Sequence, residues 1–233
     1  MRHYLYLFID FVSILFPFAF SFYPKANFSK KWKFLVPGLL AGAVPFIGWD
    51  IWFTQLGVWG FNPTYLCGIY FFNLPLEEVL FFFCIPYACV FTYEAVNYFS
   101  KKTMIQNSAA NLITDILIFG LLIIATLHYN YWYTSVTFFS TAIFLALLRR
   151  IWTVDYLGKF YFAFLFILLP FFLVNGLLTG TGLDEPVVWY NNKENLNLRL
   201  GTIPVEDIFY GMMLLLLNIS VFEYRQKHSR FVG

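Results

Sequence analysis

The chain has 233 residues, 60% of them hydrophobic and 12% charged, with a mean hydropathy of +0.68, whereas an ordinary soluble domain carries about 25% charged residues. So much apolar surface does not fit inside one water-soluble core, and the sequence reads as a membrane protein whose outer face meets lipid. A formal net charge of +2, spread over short loops, lacks the clustered basic stripe that a nucleic-acid partner needs.

About 20 apolar residues in a helix cross a bilayer core of about 30 Å, and such runs are predicted, in chain order, at 4–22, 34–54, 75–98, 111–128, 133–148, 160–180 and 204–224. The first lacks a basic leader and a small-residue cleavage site, so it reads as a retained span. Two runs are short and meet at a tight join, His128 to Trp132, which leaves a re-entrant hairpin as the alternative to two crossings. If every run crosses, Lys25, Lys30, Lys31, Lys33, Lys101, Lys102, Arg149, Arg150, Lys159, Arg225, Lys227 and Arg230 share one side, and only Arg2, Lys193 and Arg199 fall on the other. By the positive-inside rule this places the N-terminus outside and the C-terminus in the cytoplasm, in the cell (inner) membrane. The loops 55–74 and 181–203 then share the outer side with their aromatic residues.

The sequence repeats itself. Asn73-Leu-Pro75-Leu-Glu77-Glu78 recurs 129 residues later as Thr202-Ile-Pro204-Val-Glu206-Asp207, and at the same offset Tyr4 meets Tyr133 and Glu94 meets Glu223. Pro45 to Asp50 lines up with Pro170 to Asn175, and Trp59-Gly-Phe-Asn62 with Trp189-Tyr-Asn191-Asn192. The expected architecture is all-α and membrane-integral: seven transmembrane helices as two parallel three-helix repeats, residues 1–102 and 133–233, joined by a linker with its own helix, 103–132. Because three is odd, the linker helix restores the orientation, so both acidic segments start helices at the same outer face.

Carboxylates inside a membrane are costly and point to function. Glu77, Glu78, Glu206 and Asp207 also sit in a first helical turn after a proline, where acidic residues are ordinary. A helix start needs one such acid, and adjacent residues point about 100° apart, so a doubled acid found twice suggests shared chemistry. Gathered in a dry cleft, the four would divide into protonated and ionised groups, a general acid and a general base. Asp50 and Asn175 are placed to support them. Asp10 and Asp115 lack repeat partners, Glu94 and Glu223 fall at the opposite interface, and all four stay outside the expected site.

Other chemistries lack their residues. Cys67, Cys84 and Cys89 form no even disulfide framework and no metal-ligand spacing; no histidine occupies a mid-span position, no lysine could carry a retinal Schiff base, and no complete dinucleotide fingerprint or Asp-rich diphosphate motif is present. No metal and no cofactor is therefore expected. Acid–base chemistry on an apolar substrate remains, in a bundle whose aromatic faces could stabilise a cation.

The two Pro-x-Glu-(Glu/Asp) segments, the Trp and Asn residues of the loops before them (Trp59, Asn62, Trp189, Asn191) and the Pro-x(4)-Asp/Asn segments resemble the membrane-integral, heterodimer-type lycopene cyclases, with both halves fused in one chain. The resemblance covers roughly 4–99 and 133–224. It implies cyclisation of the linear ends of lycopene to β-rings, through γ-carotene to β-carotene, without a redox cofactor, and with Glu77, Glu78, Glu206 and Asp207 as catalytic residues. The second half departs from the first at Asp207 for Glu78 and Asn175 for Asp50, which leaves open which half supplies the acid. Alternatives are a cyclase forming ε or γ rings or acting on another carotenoid, and, in a different class, a proton-coupled transporter. The oligomeric state is not legible.

Overall fold

The computed structural model describes residues 2–100 and 105–229. Lys101, Lys102 and Arg230, used above to orient the chain, and the boundary between 102 and 103 lie outside the described residues. The fold is all-α, with seven helices long and apolar enough to cross a membrane: α1 Leu5–Phe20, α2 Trp32–Leu56, α3 Leu76–Phe99, α4 Asn107–Leu127, α5 Trp132–Ala146, α6 Leu157–Leu178 and α7 Val205–Ser229. A π-helical turn, Leu147–Ile151, prolongs α5 to a 20-residue span. The helices on both sides of the His128 join are thus long enough to cross, and a re-entrant hairpin is not needed.

Helices α1, α2, α4, α5 and α6 present Phe, Leu, Ile or Val on their outer sides, and large side chains such as Phe8, Phe11, Val44, Phe119 and Leu169 are exposed. That pattern suits a lipid solvent, as water would favour a polar coat. Lipid supplies little hydrophobic drive between helices, so close backbone approach matters more. It occurs where α2 meets α7: a side chain at Gly38 would come within 2.8 Å of the Asn218 carbonyl, and one at Gly42 would strike the Asn218 side chain. The spacing is Gly-x-x-x-Gly, and the Asn218 side-chain NH2 donates to the Leu214 carbonyl at 2.8 Å while its Oδ1 has no partner. Besides α2 on α7, the main helix pairs are α1 on α3, α2 on α3, α3 on α6, α5 on α7 and α4 on both α5 and α6.

Six short strands organise the loops at one end: β1 Trp59–Phe61, β2 Tyr70–Phe71, β3 Leu74–Pro75, β4 Val188–Tyr190, β5 Arg199–Leu200 and β6 Ile203–Pro204. The hairpin β2–β3 feeds directly into α3 and the hairpin β5–β6 into α7. Their turns use a left-handed residue at the same place, Phe72 (φ 56°) in the first and Gly201 (φ 66°) in the second. The strands β1 and β4 pair antiparallel across the two halves, Trp59 with Tyr190, Gly60 with Trp189 and Phe61 with Val188. At the far end of the bundle, ion pairs tie helix ends together, Lys31 with Glu94 and Arg150 with Asp115 at 3.0 Å.

Candidate active site

Both acidic pairs sit where α3 and α7 leave their hairpins. The Leu76 N–H donates to the Ile69 carbonyl at 2.8 Å, and the Val205 N–H donates to the Leu198 carbonyl at 3.0 Å. Those bonds set the rotation of each helix start, and rotation decides which carboxylate goes where. Glu77 turns back to its own loop, where the Cys67 N–H donates to its Oε1 at 2.6 Å. Glu206 does the same with the Leu196 N–H at 2.8 Å and also accepts from the Thr134 hydroxyl at 2.6 Å. Both are fully buried. They act as loop clasps.

Glu78 and Asp207 point the other way, about 100° round the helix, into a cavity of about 430 Å³. This lies within the range of small-molecule pockets. Tyr6, the second residue of α1, donates its hydroxyl to Glu78 Oε2 at 2.6 Å. Asp50, buried on α2, lies beside Glu78 and the Trp59 ring, with its Oδ2 unpartnered. Asp207 receives two phenols: Tyr133 donates to Oδ1 at 2.5 Å and Tyr190 to Oδ2 at 3.0 Å. Burial and the facing Asp207 carboxylate push the Tyr190 phenol well above its ordinary pKa, so it keeps its proton and remains a donor. Arg199 lies over the Tyr190 ring, 5.8 Å from its centroid, and adds positive charge on this side.

The walls around the carboxyls are aromatic. The Tyr133 and Tyr190 rings stack at 5.7 Å, Trp59 meets Tyr133 edge-on at 5.1 Å, and Tyr210 meets Trp59 edge-on at 5.9 Å. Stacked and edge-on rings offer π faces to a cation between them. No group of three or more His, Cys, Asp or Glu among the described residues is placed to hold a metal ion.

The structure therefore brings together Glu78, Asp207, Asp50, Asn175 and Trp59 on one cavity, and leaves Glu77, Glu206, Asn62, Asn191 and Trp189 off it. Asn62 shapes its loop, accepting from the Thr64 N–H and donating to Glu185, and Asn191 accepts from the Lys193 N–H in the same way. The sequence alignment set Trp59 against Trp189. The strand register moves that match by one residue: Trp189 is half-exposed and covers Gly60, while Trp59 is buried against Tyr190 and Tyr133. Likewise the first-helix tyrosine that meets an acid is buried Tyr6, and Tyr4, matched to Tyr133 by offset, is exposed in a 3-10 turn.

A family model described as Lycopene cyclase matches residues 3–96 and 130–225. The chain belongs to the lycopene cyclase family. No curated protein and no solved structure matches it. The first stretch matched in this cyclase family carries Asp50 and Glu78 of the cavity and the second carries Asp207, and membership implies a catalytic protein of the isomerase type. Sequence reasoning missed Tyr6, Tyr133, Tyr190, Tyr210 and Arg199, which surround the acids. At the 129-residue offset the mismatches of Arg199 with Tyr70 and of Tyr210 with Phe81, and the match of Tyr133 with Tyr4, were the signals that could have drawn notice to three of them. Asp10 was also set aside, yet it is buried on α1 one turn beyond Tyr6, and both of its carboxyl oxygens lack partners.

Proposed function

We propose that this chain is a lycopene β-cyclase that closes the linear ends of lycopene, and then of γ-carotene, by acid–base catalysis without a cofactor. The observation that carries the reading is the meeting of Glu78 and Asp207 in one aromatic-walled cavity from two distant parts of the chain. A carboxylic acid protonates C2 of the terminal double bond, and the C1=C2 π pair becomes the new C2–H bond. The C5=C6 π pair then forms the C1–C6 bond and leaves the cation at C5. A carboxylate removes the C6 proton, and that C–H pair restores C5=C6 in the ring. Mass is unchanged, so the reaction as written needs no electron carrier.

The surroundings of the two carboxyls suit different roles. Glu78 faces a second carboxyl, Asp50, and two carboxyls at close range hold one proton between them rather than two charges. That pair is the acid. Asp207 has two phenol donors and a nearby guanidinium, while Asn175, matched to Asp50 in the repeat, lines the same cavity without a charge, the setting of a carboxylate. It is the base. Trp59, Tyr133, Tyr190 and Tyr210 shield the cation between them. Val12, Phe16 and Leu173 line the cavity and also face outward from α1 and α6, so the polyene slides in sideways from the bilayer.

We further read residues 1–102 and 133–233 as two parallel repeats, supported by recurrence of the loop bonds at 67/77 and 196/206 and by the pairing of β1 with β4 about Gly60 and Trp189. The heterodimer-type halves are here one fused chain. The N-terminus lies outside and the C-terminus in the cytoplasm of the cell membrane. The reading is tested by expressing the chain in a lycopene-accumulating bacterial host and analysing pigment by chromatography with absorption and mass spectra. β-Carotene, at unchanged mass, is expected. Unchanged lycopene with the protein in the membrane would refute the assignment, and an ε-ring product would move the base to another residue.

A further inference from the structure

A second cavity, of about 820 Å³, opens at the other end of the bundle from the acid pairs. Its walls come from the segment between α1 and α2 (Tyr23, Ala26), the last turns of α3 (Glu94, Ala95), the start of α6 (Lys159) and the last turns of α7 (Gln226). Ring closure at Glu78 and Asp207 makes no use of it.

The two cavities lie on one track. On α3, Glu78, Phe81, Ile85, Ala88 and Thr92 line the first, and Ala95 and Phe99 line the second. Steps of three and four residues keep side chains on one face of a helix, so a single face of α3 runs from the acid centre to the far cavity. Its middle is built of small residues, Ala88, Thr92 and Ala95. Helices α1 and α6 both pack on α3 and touch each other much less, which makes this face the floor of a seam between them. Phe16 of α1 lines both cavities, so one ring stands where they meet. From Glu78 to Ala95 the seam covers about 25 Å at about 1.5 Å per residue, most of a bilayer core of about 30 Å.

Given the cyclase reading, on which this inference rests, the substrate carries its two reactive ends at opposite tips of one long conjugated rod. With one end between Glu78 and Asp207, the other lies a rod's length away, and in the second round that far end is already a ring, wider than the chain. A seam floored by small side chains and ending in a roomier chamber suits a rod with a bulky tip. Phe20, Phe28 and Phe91 give the chamber apolar wall, and four of its charged residues are paired, Lys31 with Glu94 and Lys227 with Asp155. We propose that the far cavity is the binding site for the non-reacting end of the polyene, taking an open end in the first closure and a β-ring in the second. The molecule lies along the bilayer normal in the seam between α1 and α6, and turns end for end between the two closures.

The test uses the full chain in lipid vesicles with two substrates: lycopene, and an aldehyde-ended fragment that keeps one open end and stops near the middle of the chain, too short to reach Ala95. Rates of ring closure are compared for wild type and Ala95→Trp, which fills the far cavity from a half-buried position on α3. The variant is expected to slow closure of lycopene by about tenfold or more, the size of one group displaced from an apolar pocket. It is expected to leave the fragment within about twofold of wild type, which also shows that the chain is folded. An unchanged rate with lycopene overturns the proposal, because the far end would then lie in lipid. So does an equal fall with both substrates, which would mean that the far cavity acts on the acid centres and not on the tail. A wild-type chain that closes no ring on either substrate fails the cyclase reading itself, before any variant is compared.

Discussion

The first acid centre, Glu78 with Tyr6 and Asp50, and the second, Asp207 with Tyr133 and Tyr190, are built on the same plan and differ in a few atoms. Each acid stands second in its motif, each follows a hairpin that grips the preceding glutamate through a loop N–H, and each takes a phenol from the first helix of its half. The differences are Asp50 against Asn175, one phenol against two, and Tyr70 against Arg199. All three favour a proton on the first centre and a charge on the second. On the proposed reading, this near-symmetric frame holds a proton donor and a proton acceptor side by side, as a cyclisation that adds one proton and removes another requires.

The largest effect should come from separating the two centres. A chain ended after Lys102 and one begun near Asn107 are expected to form rings only when expressed together, because α2 packs on α7, α3 on α6, and the first half brings Asp50 and Glu78 while the second brings Asp207. Ring formation by either fragment alone, read by pigment chromatography, would break the comparison. Next in size is Asn175→Asp, which puts a carboxyl on the same cavity at the position matched to Asp50. Asp207 would then share a proton and lose its standing as base, and a rate loss of about tenfold to a hundredfold is expected, comparable with removing a general base. An unchanged rate would remove Asn175 from the account.

Smaller still are the clasps. Glu77→Gln and Glu206→Gln each weaken a charge-assisted bond worth about 1.5–3 kcal/mol, so thermal stability in detergent should drop while each folded chain keeps most of its activity. Full loss of ring formation in well-folded protein would make the clasps part of the chemistry. The smallest expected effect belongs to Val12→Trp, which narrows the opening between α1 and α6. It should raise the lycopene concentration needed for half-maximal rate by about threefold to tenfold, the size of a lost apolar contact of about 1 kcal/mol or more, with little change in the maximal rate. A change in the maximal rate alone would place access elsewhere.

Much of the frame was legible in the sequence, and the reasons are physical. Lipid demands long unbroken apolar runs, so seven spans stood out, and the Pro-x-Glu-acid segments marked where α3 and α7 begin. What could not be read was which acid of each pair meets the cavity. Glu77 and Glu78 are neighbours in sequence and both are acidic, and only the hairpin bond from Leu76 to Ile69 sets the helix so that one clasps the loop and the other faces inward. The phenols were hidden for a different reason. Tyr6 and Tyr133 lie 72 and 74 residues from their acids, and in a chain with 16 tyrosines no spacing singles out Tyr6, while the repeat offset paired Tyr133 with exposed Tyr4 instead. Trp189 misled because a shared residue type outweighed strand register, where a shift of one residue turns a side chain from the inside to the outside.

The central claim is that Glu78 and Asp207 act together on each ring closure, one giving and one taking a proton. The direct measurement is the pigment profile of a lycopene-accumulating host carrying Glu78→Gln or Asp207→Asn, with membrane levels of each variant matched to wild type. The account predicts lycopene alone in both cases, a loss of at least about a hundredfold in ring formation. Accumulation of γ-carotene in either variant would contradict it, because it would mean that each centre closes rings independently.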